Sequence, residues 1–441
     1  MKLKKILAMF LALAMVFAVA ACSNSGGTQT GGNTQTNNPG NTQAPANGGS
    51  ADPISMVLWG AEEDQTLLAD LVEKFKAAYP DQTFNITIGV ESESTARDTV
   101  LTDVEAAADV YAFACDQLPT LVEAGAILEL SQMEPALQSI AGKSLADIAA
   151  ANGEGATAAA SYNGAQYAFP FASDGFFMFY DPDYISEEQA NDWITLLDAA
   201  QAAGKQVGMT LASGWYNACF FYGAGFITGL NADGSTAMDW NGTSASGVSG
   251  VDVVKYMQTV AGHPAFLAVP DGGISPAITG GSLAAVISGT WDTSTVAKTF
   301  GDDYVARRLP TMTINGKTFD TRGVSSFKCI GVNPFSKNAG WAVILAEFLT
   351  NEASQVTRFE QREIPPTNIK AASSSAVREN KGVVGLVDAA SVGVVQLVGG
   401  NYWDPTASFG EQIAQGTIGS DDAAIQSALD LLVQGATAPI A

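Results

Sequence analysis

Apolar and polar positions follow two alternating periods beyond residue 52, and this predicts strands and helices in turn. Residues 54–59 form a short apolar run, and every second residue from 84 to 90 is apolar, as in a half-buried strand. Between them, apolar residues recur at i, i+3, i+4 and i+7 from Leu68 to Phe75, which predicts a helix ended by Pro80. The chain therefore opens as strand, helix, strand.

The same order continues along the chain. Residues 95–107 read as a second helix, Val110–Ala114 is an apolar third strand, and a short helix follows with Pro119 near its start. Alternating strands and helices predict a parallel sheet covered on both faces, and ligands of such sheets bind beyond the carboxyl ends of the strands. The loops after the first and third strands are therefore the places to search for a binding site.

The first residues carry a different pattern. Three lysines precede an apolar stretch, and the small residues before Cys22 resemble a bacterial lipobox. The resemblance implies a signal peptide over residues 1–21, cleavage before Cys22 and a lipid on its sulfur. An ordinary secretory signal with a chance cysteine is the alternative. The apolar stretch is too short for the ~30 Å hydrocarbon layer of a membrane.

Residues 22–52 have a composition that cannot form a core. They are almost all Gly, Asn, Thr, Gln, Ser, Pro and Ala, without an aromatic residue. Chains of this type behave as flexible coils, so we expect a tether between a lipid anchor and a folded body. The rest of the chain is long enough for two or three domains at ~100 to 200 residues each.

Composition and charge exclude several functions. Asp and Glu number 45 against 21 Lys and Arg, giving a net charge of -24, so the chain has few cations with which to neutralise nucleic acid phosphates. A single histidine, His263, excludes zinc sites built from paired histidines and leaves only one possible base for a nucleophile triad. The four cysteines have no C-x-x-C spacing. We therefore expect no metal, no cofactor and no nucleic acid partner.

Several sequence blocks carry a family resemblance. They include Ala108-Asp109-Val110-Tyr111-Ala112-Phe113-Ala114, Ala124-Gly125-Ala126, Tyr162-Asn163-Gly164, Tyr167-Ala168-Phe169-Pro170, Phe179-Tyr180-Asp181 and Ser288-Gly289-Thr290-Trp291. In this order they resemble the extracellular solute-binding proteins of ABC sugar importers, the group that includes maltose-binding protein. The resemblance implies a two-lobe, mostly parallel α/β fold of the Venus flytrap type, in which two lobes close on a ligand.

The resemblance also implies an organisation in which the chain crosses between lobes several times. We expect the first lobe to hold residues 53–172 and 325–360, and the second lobe residues 173–324 and 361–441. The crossings would lie near residues 172–175, 322–325 and 358–365. The ligand cleft would lie between the lobes.

A sugar site needs flat aromatic faces for stacking and carboxylates or amides for the hydroxyls. The resemblance implies that Trp291 and Trp403 are stacking platforms of the second lobe and that Trp215 and Tyr216 occupy another aromatic position. A tryptophan packed in the core is the alternative for each platform, and on this basis Trp59, Trp193 and Trp341 are assigned to the core.

The first lobe would contribute Glu62, Glu63, Phe113 and Asp116, with Asp174 at the first crossing. Each has a structural alternative. The two glutamates could be a solvated first helical turn, Phe113 could continue the apolar strand into the core, and Asp116 could cap the following helix. Only one of the two glutamates is expected to contact the ligand.

The chain departs from maltose-binding protein at three cleft positions. Phe113, Gln117 and Gly214 stand where that protein has a tryptophan, an arginine and a glutamate. The leading ligand is an α-linked glucan oligosaccharide, because several aromatic platforms suit a chain of rings. The expected protein is a non-enzymatic, monomeric, lipid-anchored component that delivers sugar to a permease at the outer face of the membrane. A secreted glycoside hydrolase and a sugar-sensing receptor are the alternatives.

Overall fold

The computed structural model describes residues 53–231 and 233–439. The predicted signal peptide, the linker and Cys22 lie outside the described residues. Within the described part, no helix is both long enough and apolar enough to cross a membrane.

Strands are short and are distributed along the whole described chain. In chain order they are β1 (Ile54–Gly60), β2 (Phe84–Val90), β3 (Val110–Ala114), β4 (Ser161–Tyr162), β5 (Ala165–Gln166), β6 (Ala168–Gly175), β7 (Phe177–Tyr180), β8 (Gln206–Met209), β9 (Thr228–Leu230), β10 (Thr236–Met238), β11 (Phe266–Ala268), β12 (Leu283–Ser288), β13 (Val305–Arg307), β14 (Thr311–Ile314), β15 (Lys317–Asp320) and β16 (Ser325–Val332).

Helices separate most of these strands. In chain order they are α1 (Gln65–Ala78), α2 (Ala96–Thr102), α3 (Leu118–Glu123), α4 (Glu134–Ala136), α5 (Leu145–Asn152), α6 (Glu154–Ala159), α7 (Trp193–Ala202), α8 (Gly214–Gly223), α9 (Gly250–Ala261), α10 (Ile274–Thr279), α11 (Thr293–Phe300), α12 (Ala339–Thr350), α13 (Glu352–Arg362), α14 (Ile369–Ala372), α15 (Ser375–Glu379), α16 (Lys381–Ala390), α17 (Trp403–Ala414) and α18 (Asp422–Ala436).

Two five-stranded sheets form the centres of two lobes. The first has the order β2-β1-β3-β16-β6, with β16 antiparallel to both neighbours. The second has the order β11-β8-β12-β7-β13, with β7 antiparallel to both neighbours. The remaining strand pairs in these sheets are parallel. The mixed, mostly parallel α/β architecture predicted from the sequence is confirmed.

The early helices show why the hydrophobic pattern was informative. Leu68, Leu71, Val72 and Phe75 of α1 are all buried against the first sheet, and each such side chain contributes roughly 1.5 to 3 kcal/mol when it leaves water. Helix α2 is shorter than predicted, because Asp103 adopts an extended conformation and ends it at Thr102. Periodicity located the helix but not its end.

The first crossing is abrupt. Strand β6 remains in the first sheet as far as Gly175, which pairs with Ser325, and β7 begins in the second sheet at Phe177. The predicted boundary after residue 172 is therefore three residues early, because the bulged β6 continues its pairing with β16. The second crossing precedes Ser325, whose N–H donates to the Val394 carbonyl at 2.8 Å.

The third crossing lies later than predicted. The predicted first lobe ends at residue 360, but Ser173 N–H donates to the Pro365 carbonyl at 2.9 Å and so holds the following segment against the first sheet. The Thr367 hydroxyl donates to the buried Asn152 side chain at 2.9 Å. Helix α14 packs against α5 and α13, whereas α16 packs against β13 and β7. The chain changes lobe between α14 and α16.

Candidate functional site

The site is built where the strands of the first sheet end. Strands β1 and β3 lead into Glu62 and Asp116, β6 brings Asp174 to the same edge, and the loop after β2 carries Glu93. Because parallel strands present their carboxyl ends at one edge, the sequence places these acids together. This edge forms the first wall of the cleft.

The loop after β1 contains three consecutive acids, and the third of them, Asp64, anchors the loop. Glu62 and Glu63 are exposed on a single turn of 3-10 helix, while Asp64 of the same turn is buried. The Asp64 carboxylate accepts hydrogen bonds from Arg358 Nη1 at 2.5 Å and Arg362 Nε at 2.9 Å. Two arginines of α13 thus anchor the turn, and the two glutamate side chains remain accessible. Their assignment as ligand residues stays a prediction.

Phe113 is a correction to the sequence analysis. Its side chain has no exposed surface and packs with Tyr111, at a ring centroid distance of 5.9 Å, in a cluster that includes Leu118. Pleating turns alternate residues of β3 to opposite faces, and Phe113 falls on the face covered by α3 rather than at the strand end. It is a core residue and forms no part of the cleft surface.

Asp116 is half-buried at the end of β3, and it caps neither of the helical segments that follow. Burial raises the pKa of its carboxyl to about 6, the negative charge of Asp174 acts in the same direction, and Arg97 opposes both. The adjacent Cys115 thiol also has a raised pKa, at about 11, mainly through burial. A thiol of this kind is protonated at neutral pH and is a poor nucleophile.

Gln117 has a structural role that explains the shape of this wall. Its side-chain oxygen accepts from Arg97 N–H at 2.9 Å, and its amide donates to the Glu93 carbonyl at 2.7 Å and the Ser94 carbonyl at 2.9 Å. One buried amide therefore ties the loop after β2 to the end of β3.

Asp174 stands at the meeting point of the two lobes. It is half-buried, and its Oδ1 accepts from Gly175 N–H at 3.0 Å. Its charge raises the pKa of Asp116 and of Cys115 in the first lobe and of Tyr216 in the second. The predicted crossing residue therefore lies near site groups of both lobes.

Trp215 and Tyr216 form the first turn of α8 in the second lobe. Tyr216 is buried, with its ring centroid 4.9 Å from that of Phe176, and burial followed by the charge of Asp292 raises its pKa. Trp215 is half-exposed, with a centroid distance of 6.0 Å to Phe176. The structure thus divides the predicted pair, because Trp215 is partly exposed whereas Tyr216 is buried beside the same Phe176 ring.

Trp291 follows β12 on a short 3-10 turn and is half-exposed. Its ring lies directly over Gly289, where a Cβ atom would come within 2.1 Å of it. The neighbouring Asp292 is buried and accepts hydrogen bonds from the hydroxyls of Ser275 and Ser288. The turn is therefore held by buried hydrogen bonds, while the Trp291 side chain stays partly exposed.

Trp403 begins α17 and is also half-exposed. Its ring stands edge-on to Tyr402 at a centroid distance of 5.2 Å and an angle of 86°. The Tyr402 hydroxyl donates to the Gly214 carbonyl at 2.9 Å, and Gln396 Nε2 donates to the same oxygen at 3.2 Å. Since Gly214 immediately precedes Trp215, these bonds hold two aromatic platforms in a fixed relation.

The tryptophans assigned to the core are not uniformly more buried than Trp215, Trp291 and Trp403. Trp193 has no exposed surface, and its Nε1 donates to the Thr321 hydroxyl at 3.0 Å. Trp341 and Trp59 are only partly buried, each at the margin of a first-lobe core cluster. Trp240, which the sequence analysis did not single out, is fully buried and stacks on Phe221 at 4.1 Å.

The two walls approach each other at one side. Arg97 Nη1 of the first wall lies 3.9 Å from the position that a Cβ atom of Gly400 would occupy in the second lobe. Trp215, Trp291 and Trp403 of the second lobe are each partly exposed, and the carboxylates of the first lobe lie at its strand ends. Among residues 53–231 and 233–439, no group of three or more His, Cys, Asp or Glu side chains is arranged to hold a metal ion.

Fold and site together define a two-lobe binding protein of the periplasmic type, with a cleft at the crossings. A family model described as bacterial extracellular solute-binding protein matches residues 70–383, so the chain belongs to that family. The family resemblance identified from the sequence is confirmed, and the family name indicates an extracellular location.

Individual relatives agree with this assignment. The galactooligosaccharide-binding protein of Bacillus subtilis (strain 168) is 30% identical, and the match covers 48% of this chain and 54% of that protein. The chain thus aligns with about half the length of this curated relative. A solved structure determined with acarbose is 29% identical, with a TM-score of 0.76, and covers 87% of this chain and 99% of its own.

A more distant structure supports the fold alone. It is maltodextrin-binding protein MalE1 from L. casei BL23 without ligand, at 20% identity and a TM-score of 0.70, covering 88% of this chain and 100% of its own. The named relatives are binding proteins, not enzymes.

Proposed function

We propose that this protein captures a neutral oligosaccharide, with a maltodextrin-like chain of glucose units as the leading candidate, and delivers it to the permease of an ABC importer. The observation that supports the proposal is the combination of partly exposed tryptophans in the second lobe with carboxylates at the strand ends of the first. Trp215, Trp291 and Trp403 provide stacking surfaces, and Asp116 and Asp174 provide acceptors for hydroxyls.

Charge supports a neutral ligand. Four carboxylates lie on the first wall of the cleft or beside it. They belong to Glu62, Glu63, Asp116 and Asp174. An anionic sugar would meet repulsion there, whereas sugar hydroxyls can donate to each carboxylate oxygen.

The relatives support two sugar classes. Several structures of similar fold are described with acarbose, maltotriose or maltotetraose, and the curated relative is named for galactooligosaccharides. Maltodextrin is our first candidate because several platforms suit a chain of rings. A galactose oligomer is the second, because the curated relative at 30% identity is named for that ligand.

A thermal-shift and calorimetry panel tests the proposal. Maltose, maltotriose, maltotetraose and β-1,4-galactotriose are added to the protein, with glucuronic acid oligomers as an anionic control. A ligand at one hundred times its Kd stabilises the folded state by about 2.7 kcal/mol, which raises the Tm by several degrees. Stabilisation by the anionic sugar alone would contradict the proposal.

The same panel separates binding from hydrolysis. Asp116, with its raised pKa, lies near a second carboxyl, that of Asp174. Glycoside hydrolases use a pair of carboxyl groups as catalytic acid and as base or nucleophile. Our proposal requires the bound oligosaccharide to remain intact after prolonged incubation. Release of shorter sugars at a catalytic rate would favour the hydrolase.

We also propose that the mature chain is held at the outer face of the membrane through lipid on Cys22. The lipobox pattern of residues 19–22 supports this proposal. Cells given labelled fatty acid should label the wild-type protein and not Cys22→Ala. Equal labelling of both would remove the anchor. Co-purification with a permease pair would support import over a role as a sugar-sensing receptor.

A further inference from the structure

A lysine that the sequence analysis did not single out lies at the floor of the first wall. Lys328 belongs to β16, which enters the first sheet directly after the second crossing. It pairs with Ala114 on β3 and with Ala172 on β6. Both neighbours have small side chains, so the lysine stem meets little obstruction between the two strand ends.

The register places this lysine beside the site. Ser326 pairs with Asp174, and Lys328 pairs with Ala172 two residues earlier, so Lys328 and Asp174 point to the same face of the sheet. Diagonal neighbours of this kind lie within reach of a long side chain. The side chain of Lys328 is 22% exposed, at the sheet edge that carries the acids of the cleft.

Glu93 is the acidic partner of this lysine. Its carbonyl accepts from Ala114 N–H at 3.0 Å and from Gln117 at 2.7 Å, which pins the residue over the end of β3. Its side chain is only 9% exposed, and Glu93 Oε2 lies 3.7 Å from Lys328 Nζ. Two opposite charges are thus held together at the base of the cleft.

Within the described residues, the ammonium of Lys328 and the carboxylate of Glu93 have no hydrogen-bond partner. A distance of 3.7 Å exceeds that of a hydrogen bond, and neither Lys328 Nζ nor the Glu93 carboxylate makes one with any residue in the described ranges. An ammonium has three donors, and a carboxylate accepts at both oxygens. Poorly solvated charges of this kind are stable only when such capacity is satisfied, by water or by a ligand.

We propose that Lys328 and Glu93 form a donor and acceptor pair that binds two neighbouring hydroxyls of one sugar unit and so discriminates between sugar stereoisomers. Adjacent hydroxyls of a pyranose present one donor and one acceptor side by side, which matches this pair. The inference rests on the proposed function and deepens it. An anionic ligand fits this pair poorly, because four carboxylates already interact with the positive charge of Lys328. They belong to Glu93, Asp174, Asp64 and Glu63.

The test compares Lys328→Met, which keeps the length of the side chain, with Glu93→Gln and with the wild-type protein. Lys337→Met serves as the control, because Lys337 is exposed on the loop beyond β16. The Kd of each protein is measured for maltotriose and for β-1,4-galactotriose, and the unfolding midpoint is measured without sugar.

We expect Lys328→Met to weaken binding of the preferred sugar at least tenfold and to bring the ratio of the two Kd values towards one. Its ligand-free unfolding midpoint should fall, because the substitution leaves the poorly exposed Glu93 carboxylate without its nearby positive charge. Glu93→Gln should reduce the ratio in the same direction, and it carries the test if Lys328→Met does not fold. Lys337→Met should match the wild type.

Two failures are distinguishable. If the wild type binds neither sugar, the proposed function fails and the assignment of Lys328 and Glu93 fails with it. If the wild type binds while both variants retain its Kd values and their ratio, the pair is only structural. That result would overturn this inference and leave the proposed function in place.

Discussion

The two walls of the cleft are built from different chemistry. The first wall carries charged groups at strand ends, including Asp116, Asp174 and Lys328, and each is held by backbone register or by side-chain hydrogen bonds. The second wall carries the partly exposed side chains of Trp215 and Trp291, which pack against a buried aromatic core. The first wall can select for the orientation of sugar hydroxyls. The second wall offers apolar contact area, and that contact does not depend on where the hydroxyls point.

This difference separates affinity from selectivity. Stacking on an indole responds mainly to the apolar face of a sugar ring, which many sugars share. Hydrogen bonds to charged groups depend on where each hydroxyl points, and an unmet partner is costly in a partly buried site. Changes in the second wall should therefore weaken all bound sugars together, while changes in the first should alter their ranking.

The largest expected effect is the loss of an aromatic platform. Trp291→Ala should weaken binding of every sugar by about 2 kcal/mol, roughly thirtyfold in Kd, as truncation of hot-spot aromatics does. Calorimetry with maltotriose and galactotriose measures this effect. The loss should be similar for both sugars, because stacking carries little stereochemical information.

Stability measurements on the same variant provide its control. Trp193→Ala, at a position with no exposed surface, should lower the free energy of unfolding by about 3 to 5 kcal/mol. Trp291→Ala should cost clearly less, because its side chain is partly exposed in the folded protein. If Trp291→Ala lost stability like a core residue and kept its sugar affinity, the second wall would be misassigned.

The next effect concerns the first wall. Asp174→Asn keeps the shape of the side chain but removes a charged acceptor, and it should cost about 1.5 kcal/mol, close to tenfold in Kd, for the preferred sugar. Isothermal calorimetry across sugars that differ at single hydroxyls gives the readout. The variant should change the ranking of these sugars. A uniform loss across all of them would remove the distinction between the walls.

A smaller effect should follow from moving a platform without removing it. In Gly289→Ala the new Cβ would overlap the Trp291 ring, so the indole must tilt and part of the stacking face is lost. We expect about 1 kcal/mol weaker binding, roughly fivefold in Kd. Gly280→Ala, whose Cβ would meet no atom closer than 3.4 Å, is the matched control. Unchanged binding by Gly289→Ala would show that the ring has room to adjust.

The smallest effect is that of pH on the first wall. Burial raises the pKa of Asp116 from 3.8 to about 6, so the carboxylate gains a proton as the pH falls through 6. If sugar hydroxyls donate to the ionised form and the protonated form binds about fourfold less tightly, the Kd should rise about threefold between pH 7 and pH 5. Asp116→Asn should flatten this dependence. The titration is followed by calorimetry at constant ionic strength.

Stability should respond to pH with the opposite sign. A carboxyl with a raised pKa in the folded state holds its proton more tightly than in the unfolded state. The contribution of Asp116 to the stability of the ligand-free protein is therefore greatest below pH 4 and is lost as the pH rises through 6. The difference in Tm between wild type and Asp116→Asn across this window measures it. A constant difference would contradict the burial of this carboxyl.

Local pattern predicted the elements of the fold well. The stripe from Leu68 to Phe75 forms the buried face of α1, and Val110–Ala114 is a central strand. Both predictions succeeded because the apolar residues of each segment are buried in the folded protein. The two-lobe arrangement came from the family resemblance. The crossings were displaced by a few residues, since their positions depend on strand pairing that no local signal records.

The site was less predictable for the same reason. The polar residues after Trp291 agree with its partial exposure, and its role as a platform stays a prediction, whereas Phe113 depended on which face of a pleat it occupied. Lys328 lies in a strand whose neighbours are far away in sequence, and Glu93 lies in a loop pinned by Gln117. Nothing near either residue in the sequence indicates their proximity.

The position of β16 has a consequence for how the chain folds. This strand lies between β3 and β6, and Ser326 contacts Cys115, which precedes it by 211 positions. Until residues 325–332 are available, β3 and β6 each present an unpaired edge, and such edges invite aggregation and proteolysis. Closing a sheet across this sequence distance is intrinsically slow. The first lobe therefore cannot complete its sheet until residue 332 has been made, although every strand of the second sheet precedes β16 in the chain.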